Sequence, residues 1–378
     1  MEPLKHMHIC MIADKAGSVG GLQNVVYELS KVLIKNDFQV TIFCSSSRDV
    51  VSKSGNCTIQ ELRPRNILPP LLRFTFYDTY AYSLRVWERI KRSNYFDIIH
   101  GHGNNCFFPA LIRGGIPFVF NLHGVTKAFR YRRAGPNSLL LKCPRYFPAF
   151  WPEEIATKRC NVNVACSQAV RDELVHFYGI NDSRIKVIYN GVNLSVFSPM
   201  DKCIARKMLG LPEKMNYAIF VGNDPKFKGV QIAIRAVKGL KNLYLLVVGI
   251  SHSNFDNVLF WGEVTDPQRL RTLYNAADFL IFPTLYEGFP LVPLEALACG
   301  LPIIISKECP TREIIRNEVE GFIVDQRKPE FYREKMMTIL ADHSHGQETS
   351  LCCRQLAEKY SWEKVAGKYM RLYAQLVG

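Results

Sequence analysis

Between Asp278 and Glu295 the chain reads DFLIFPTLYEGFPLVPLE, the stretch with the strongest fold signal in the sequence. Its first third is nearly all apolar, which predicts a short buried β-strand over residues 277–283. Pro293 stands where a first helical turn tolerates proline, and Gly300 stands where a helix would stop. We therefore expect a strand, a loop and then a helix over residues 291–299.

Two glutamates lie in the predicted loop and in the first turns of the predicted helix. Glu287 falls in the loop, and Glu295 falls in the opening turns of the helix. Backbone amides at a helix N-terminus receive anions and hydroxyl-rich groups well. The alternative is a pair of solvated glutamates around an ordinary helix cap. The amides predicted to form this polyol or anion site are those of Gly288, Phe289 and Leu291, and Pro290 is a further predicted contact.

Short apolar strands alternate with helical stretches along the chain, and this pattern occurs twice. The strands predicted in the first half are 8–14, 40–46, 96–102, 118–124, 161–167 and 185–191. Those in the second half are 217–222, 243–250, 257–262, 277–283, 301–306 and 321–325. Such strands indicate parallel sheets with helices on both faces. We therefore predict an α/β protein of two doubly wound domains that face a cleft, with ligands beyond the carboxyl ends of the strands.

The two glutamates, with seven residues between them, resemble the E-x7-E signature of the retaining glycosyltransferases of family 4, the glycosyl transferases group 1. The resemblance spans nearly the whole chain and is strongest from about 217 to 325. It implies the GT-B fold, with a Rossmann-like acceptor-side domain over 1–196 and a Rossmann-like nucleotide-sugar domain over 197–360. It also implies that the amphipathic segment 361–378 packs back on the first domain.

A glycine-containing turn follows the first strand of each predicted domain. Gly20 and Gly21 open the first helix, where backbone amides can approach a phosphate. By resemblance they contact the donor diphosphate, and the alternative is a plain turn. The segment from Gly222 resembles the G-R-x-x-x-x-K-G motif that holds the diphosphate. Lys228 occupies the lysine position, at the start of a helix predicted over 228–239, but Asn223 replaces the arginine.

His123 ends the predicted strand 118–124. By resemblance it contacts the transferred sugar, whereas a lone histidine at a strand end is otherwise more often structural. His100 and His102 end another predicted strand and are further candidates for the same pocket.

The resemblance implies a retaining, metal-independent transfer from a UDP- or GDP-linked sugar to a hydroxyl of a lipid or polysaccharide. Lys228 and nearby amides would stabilise the charge that develops on the β-phosphate. Glu287 would hold sugar hydroxyls, Glu295 would accept hydrogen bonds from the ribose, and His123 would complete the sugar pocket. No cofactor is expected beyond the nucleotide-sugar donor substrate.

Composition points to a cytoplasmic protein. Of the 378 residues, 48% are hydrophobic and 22% are charged, which is typical of a soluble globular chain. No apolar run reaches transmembrane length, and the N-terminus lacks the pattern of a secretory signal. The twelve cysteines include no C-x-x-C pair, which favours reduced thiols over disulfides or a zinc site.

The net charge of +14 is concentrated in the first half, where residues 1–196 hold 25 Lys and Arg against 14 Asp and Glu. No carboxylate occurs from Ile98 to Pro152, and aromatic residues are interleaved there with basic ones. Such a segment predicts peripheral binding to the anionic inner face of a membrane, or to an acceptor, at about 1 kcal/mol per basic group. Nucleic acid is a less favoured partner, and a solvated basic loop is the remaining alternative. The predicted patch comprises Lys127, Arg130, Arg132, Arg133 and Trp151.

Three other functions remain open from the sequence. A sugar-nucleotide epimerase would need further acid and base residues. A disaccharide phosphorylase would use inorganic phosphate instead of a nucleotide. A non-catalytic subunit that binds membrane or nucleic acid would explain why Asn223 stands in the arginine position.

Overall fold

Two parallel sheets organise the computed structural model, which describes residues 6–14, 20–64, 77–93, 95–134, 147–251, 255–325, 327–341 and 346–378. The chain divides into a first unit, Met1–Tyr189 with Trp362–Gly378, and a second unit, Asn190–Ser361. The division falls a few residues before the predicted boundary at 196/197. The last helix belongs to the first unit.

The first unit contains eight strands in the order β3-β4-β2-β1-β5-β6-β7-β8, and all neighbours pair in parallel except β3 and β4. The second unit contains six parallel strands in the order β11-β10-β9-β12-β13-β14. The strands of the first unit are β1 His8–Ile12, β2 Gln39–Ser45, β3 Val50–Ser54, β4 Cys57–Leu62, β5 Ile98–His102, β6 Phe118–Leu122, β7 Val162–Ala165 and β8 Ile185–Val187. Those of the second unit are β9 Asn216–Val221, β10 Leu243–Val248, β11 Val258–Gly262, β12 Phe279–Phe282, β13 Ile303–Ser306 and β14 Gly321–Val324.

Helices flank both sheets. In chain order they are α1 Gly21–Lys35, α2 Tyr77–Ser93, α3 Phe107–Leu111, α4 Thr126–Ala134, α5 Phe147–Arg159, α6 Gln168–Tyr178, α7 Lys202–Met208, α8 Pro225–Lys228, α9 Val230–Val237, α10 Pro267–Ala276, α11 Leu291–Ala298, α12 Pro329–Ala341, α13 Gly346–Glu358 and α14 Trp362–Val377. All twelve predicted strands are present with shifts at their ends, and the helix predicted over 291–299 is α11. The described part of the chain contains no helix that is both long and apolar enough to span a membrane.

One predicted helix differs from the structure. The helix predicted over 228–239 is broken at Gly229, which has a φ of +78° and separates α8 from α9. Residues Pro310–Glu313 form a short 3₁₀ turn. The β3–β4 hairpin was not predicted, because its largely polar strands lack the apolar run that marks the buried ones.

The order of the strands identifies where each sheet can hold a ligand. In the first sheet, β2, β3 and β4 lie on one side of β1, and the strands from β5 onward lie on its other side. The strand order therefore reverses between β1 and β5. In the second sheet the corresponding change falls between β9 and β12. Doubly wound sheets bind ligands at such points, outside the carboxyl ends of the strands. The predicted site residues follow β1, β6, β9 and β12, so each unit places its set at this edge.

Candidate active site

Lys228 is held in place by the one-turn helix α8. The Asp224 carboxylate caps this helix by accepting hydrogen bonds from two backbone amides, both at 3.0 Å. Gly229 follows with a positive φ, and a Cβ atom there would lie 2.3 Å from the carbonyl oxygen of Pro283. Only glycine therefore fits, and the loop after β9 packs tightly against the end of β12.

The ion pair between Lys228 and Glu287 joins the loops that follow β9 and β12. Glu287 Oε1 also accepts a hydrogen bond from the hydroxyl of buried Thr284, at 3.1 Å. The exposed fractions are 23% for the Lys228 side chain and 13% for that of Glu287, so a ligand can still reach both groups. Lys228 ends α8 instead of starting a helix, so the dipole of α8 does not oppose its charge.

The helix α11 begins at Leu291, four residues after Glu287. Gly288, Phe289 and Pro290 are buried. The side-chain Nδ2 of Asn190 donates a hydrogen bond to the Phe289 carbonyl oxygen at 2.7 Å. Pro290 occupies the cap position of α11, and no side chain caps the helix there. The first-turn amides, beginning with that of Leu291, are therefore suited to an anion or a hydroxyl.

Glu295 lies deeper in α11 than the other predicted donor contacts. It is 8% exposed, and its Oε2 accepts a hydrogen bond from the hydroxyl of Tyr274 at 2.9 Å. Burial raises the pKa of Glu295 to about 7, against the opposing effect of the Tyr274 hydrogen bond. Its charge therefore changes near neutral pH.

Gly222 and Asn223 complete the second unit's set. A Cβ atom at Gly222 would lie 3.0 Å from Lys228 Cγ, so this glycine leaves room for the lysine stem. Asn223 is exposed at the same turn. The second unit thus brings Lys228, Glu287 and Gly222 together, with Asn223 at their edge.

Gly20 and Gly21 are exposed at the N-terminus of α1. Gly20 is the cap residue and has a φ of +105° and a ψ of 150°, a conformation that side chains disfavour. Residues 15–19, which precede this turn, lie outside the described residues.

His123 is half-buried and lies just beyond the carboxyl end of β6. Its Nε2 is 2.9 Å from Asn121 Nδ2 and 3.0 Å from Nδ1 of His102, the last residue of β5. The His102 and His123 rings stack with their centroids 5.3 Å apart. Burial lowers the pKa of His123 to about 4, so the ring is neutral at pH 7.

Two tyrosines of α14 contact this histidine cluster. The Tyr369 hydroxyl donates to Asn121 Oδ1 at 2.6 Å, and the Tyr373 hydroxyl lies 2.7 Å from Nδ1 of His100. Both tyrosines are almost fully buried. Sequence reasoning missed Asn121, Tyr369 and Tyr373, because no local motif links them to His123.

The predicted basic patch is partly neutralised. Lys127 lies 4.0 Å from a carboxylate oxygen of Glu154, and Arg132 lies 3.3 Å from one of Glu173. These carboxylates belong to α5 and α6, beyond the acid-free stretch of sequence. Arg130 is half-buried on α4, Trp151 is 47% exposed on α5, and the side chain of Arg133 lies outside the described residues.

Metal-ligating side chains do not cluster in the described residues, where no group of three or more His, Cys, Asp or Glu could hold an ion. The described cysteines are free thiols. Metal independence itself stays a prediction.

Comparison with known families accounts for both units. A family model described as "Glycosyltransferase Family 4" matches residues 19–196, and one described as "Glycosyl transferases group 1" matches residues 201–357. The chain belongs to glycosyltransferase family 4. This family-4 glycosyltransferase is 26% identical to a D-inositol 3-phosphate glycosyltransferase of Salinispora arenicola, over 96% of this chain and 88% of the relative.

Solved structures give the fold of the family-4 chain. Sucrose-phosphate synthase from Thermosynechococcus elongatus superimposes with a TM-score of 0.82 at 21% identity, covering 98% of this chain and 99% of that one. An Anabaena protein solved in complex with UDP-glucose gives a TM-score of 0.73 at 16% identity, covering 98% and 100%. The predicted GT-B fold is confirmed.

Proposed function

We propose that this glycosyltransferase moves a sugar from a UDP- or GDP-linked donor to a hydroxyl acceptor, with retention of configuration and without a metal ion. The observation that carries the proposal is the Lys228–Glu287 pair beside the uncapped N-terminus of α11. A cation and helix amides suit a diphosphate, and a carboxylate suits sugar hydroxyls. The Anabaena protein of the same fold was solved with UDP-glucose.

Lys228 and the first-turn amides of α11 bind the diphosphate in this proposal. Donor binding redirects the Lys228 ammonium from Glu287 toward the phosphate, and the Glu287 carboxylate then accepts hydrogen bonds from sugar hydroxyls. Glu295 accepts from the ribose hydroxyls when it is ionised. In the first unit, Gly20 and Gly21 offer backbone amides to the diphosphate, and His123 binds the sugar.

The reaction breaks the bond between the anomeric carbon and the β-phosphate oxygen, and the electron pair stays with the phosphate. Lys228 and the fixed amides stabilise that charge as it develops, which is where preorganised donors contribute most. The acceptor oxygen attacks the same face of the sugar and passes its proton to the leaving phosphate. This order gives retention without a covalent intermediate on Glu287.

The acceptor is a lipid or a polysaccharide that the enzyme meets at an anionic membrane surface. The charge of the first 196 residues and exposed Trp151 support this part of the proposal, although Lys127 and Arg132 have carboxylate partners. Flotation with anionic vesicles tests it. The charge-reversal variant changes Arg130, Arg132 and Arg133 to Glu, and a matched control changes exposed Lys207, Arg235 and Lys238 of the second unit to Glu. If both variants or neither variant lost vesicle binding, the assignment of membrane binding to the predicted patch would be contradicted.

Turnover of a panel of UDP-, GDP- and ADP-sugars tests the donor assignment. We expect one donor to be hydrolysed slowly without an acceptor, and both Lys228→Ala and Glu295→Ala to lose this activity. NMR of the released sugar gives the anomeric configuration. Release of an epimer, or turnover of a disaccharide with inorganic phosphate, would replace the proposal with one of the other two enzymes of this fold. Absence of any nucleotide binding would favour a non-catalytic subunit.

A further inference from the structure

A chain of hydrogen bonds connects α14 to His123. Tyr369 donates through its hydroxyl to Asn121 Oδ1 at 2.6 Å, and Asn121 Nδ2 lies 2.9 Å from His123 Nε2. Tyr369 is 1% exposed and Asn121 is fully buried, so neither can satisfy its polar atoms with bulk water. The partners within this chain therefore decide where its hydrogens lie.

The Tyr369 hydroxyl sets the direction of the chain. A buried O–H group without an acceptor is costly, and Asn121 Oδ1 is the acceptor that the geometry offers. With Oδ1 facing the tyrosine, Nδ2 faces His123 and donates to its Nε2. That nitrogen therefore carries no hydrogen, and the neutral ring holds its hydrogen on Nδ1.

His102 agrees with this assignment. Its Nδ1 lies 3.0 Å from the same Nε2 of His123, and with that Nε2 bare the contact is favourable only when His102 Nδ1 carries the hydrogen. His102 Nε2 is then a bare acceptor, and it is buried without a hydrogen-bond partner among the described residues. An unfilled acceptor is tolerated better than an unfilled N–H group. Burial lowers the pKa of both rings, which keeps them neutral at pH 7.

We infer that Tyr369, Asn121 and His102 are positioning residues that fix His123 in the Nδ1–H tautomer, so that the ring offers an N–H donor to a sugar oxygen. The sugar part of this inference rests on the proposed function, whereas the tautomer does not. A helix from the end of the chain thereby controls the form of a histidine that follows β6.

Tyr369→Phe tests the inference, and Tyr373→Phe is the matched control. Both residues are buried tyrosines one turn apart on α14, but Tyr373 contacts His100 and not Asn121. We expect Tyr369→Phe to raise the KM for the sugar nucleotide about threefold to tenfold, the size of one neutral hydrogen bond. Its affinity for the free nucleoside diphosphate, which lacks the sugar, should stay unchanged. Tyr373→Phe should alter neither quantity.

Long-range ¹H–¹⁵N NMR of the histidine-labelled protein reads the tautomer directly, with the His123 signals assigned by their loss in His123→Gln. We expect Nδ1–H in the wild type and in Tyr373→Phe, a mixture in Tyr369→Phe, and Nε2–H in Asn121→Asp, where an acceptor replaces the donor. An Nε2–H tautomer in the wild type, or no change in Tyr369→Phe, would overturn the inference. If no sugar nucleotide binds but the tautomers are as expected, the proposed function fails and the positioning chain stands.

Discussion

The site residues at the carboxyl edges of the two sheets differ in their polar chemistry. In the first unit, His102, Asn121 and His123 form a hydrogen-bonded cluster whose histidines are kept neutral by burial. In the second unit, Lys228 and Glu287 form an ion pair beside a helix N-terminus. The same doubly wound architecture thus offers neutral donors at one edge and charges at the other. Neutral donors suit hydroxyls, and the cation and helix amides of the second unit suit a diphosphate.

The largest expected effect comes from removing the cation of the second unit. Lys228→Ala should lower turnover of the sugar nucleotide by about 100- to 1,000-fold, the usual loss when one preorganised electrostatic donor is removed. Steady-state kinetics measure it. Lys226→Ala, at an exposed lysine of the same one-turn helix, is the matched control and should stay within about twofold of the wild type. Equal losses in the two variants would mean that general charge, and not the ion-pair site, binds the donor.

Glu295 should make donor binding depend on pH. Because its pKa is raised to about 7, it is protonated below that pH and loses its negative charge. We expect the donor dissociation constant to rise as the pH falls from 8 to 5, by up to about tenfold per unit below pH 7. Glu295→Gln should bind more weakly at pH 8 and show a flat profile. Calorimetric titrations across this range measure both, and a sloping profile in Glu295→Gln would assign the titration to another group.

His123 should make a smaller contribution to sugar-nucleotide binding, and that contribution should not depend on pH. His123→Ala removes one neutral hydrogen bond, so the KM for the sugar nucleotide should rise about threefold to tenfold. Because burial lowers the pKa of His123 to about 4, the ratio of the KM values of variant and wild type should be constant from pH 5.5 to 8. A ratio that changes across this interval would show that His123 titrates there and is not a fixed neutral donor.

The smallest expected effect is a gain in affinity for the nucleoside diphosphate, at position 223 beside the Lys228–Glu287 ion pair. Asn223→Arg restores a cation at an exposed position, so affinity for the nucleoside diphosphate should increase about twofold to fivefold. Raising the salt concentration should reduce the gain. An unchanged affinity at low salt would place the diphosphate out of reach of position 223.

The carboxyl edge of the second sheet, with its Lys228–Glu287 ion pair, is the ionic edge. Its residues could be predicted from the sequence because their signals are local. Lys228, Glu287 and the start of α11 follow apolar strands and are marked by glycines and prolines. The break at Gly229 was missed because the Pro283 carbonyl oxygen, which leaves room only for glycine there, comes from a distant part of the sequence, just after β12.

The neutral edge could be predicted only in part. His123 was found through family resemblance, but its support comes from Asn121 and from Tyr369, whose contact spans 248 positions. The carboxylates that pair with Lys127 and Arg132 likewise come from later helices. A sequence of charges shows which groups are present, and only packing decides which of them remain unpaired.

The contrast between the edges is tested most directly by calorimetric binding of nucleoside diphosphates and the matching monophosphates in the presence of a metal chelator. We predict that one diphosphate binds at least about tenfold more tightly than its monophosphate, as expected for a charge-assisted contact to the extra phosphate. We further predict that Lys228→Ala removes this difference while Lys226→Ala keeps it. Equal binding of diphosphate and monophosphate, or a difference that survives in Lys228→Ala, would contradict the assignment of the diphosphate to the ionic edge of the second unit.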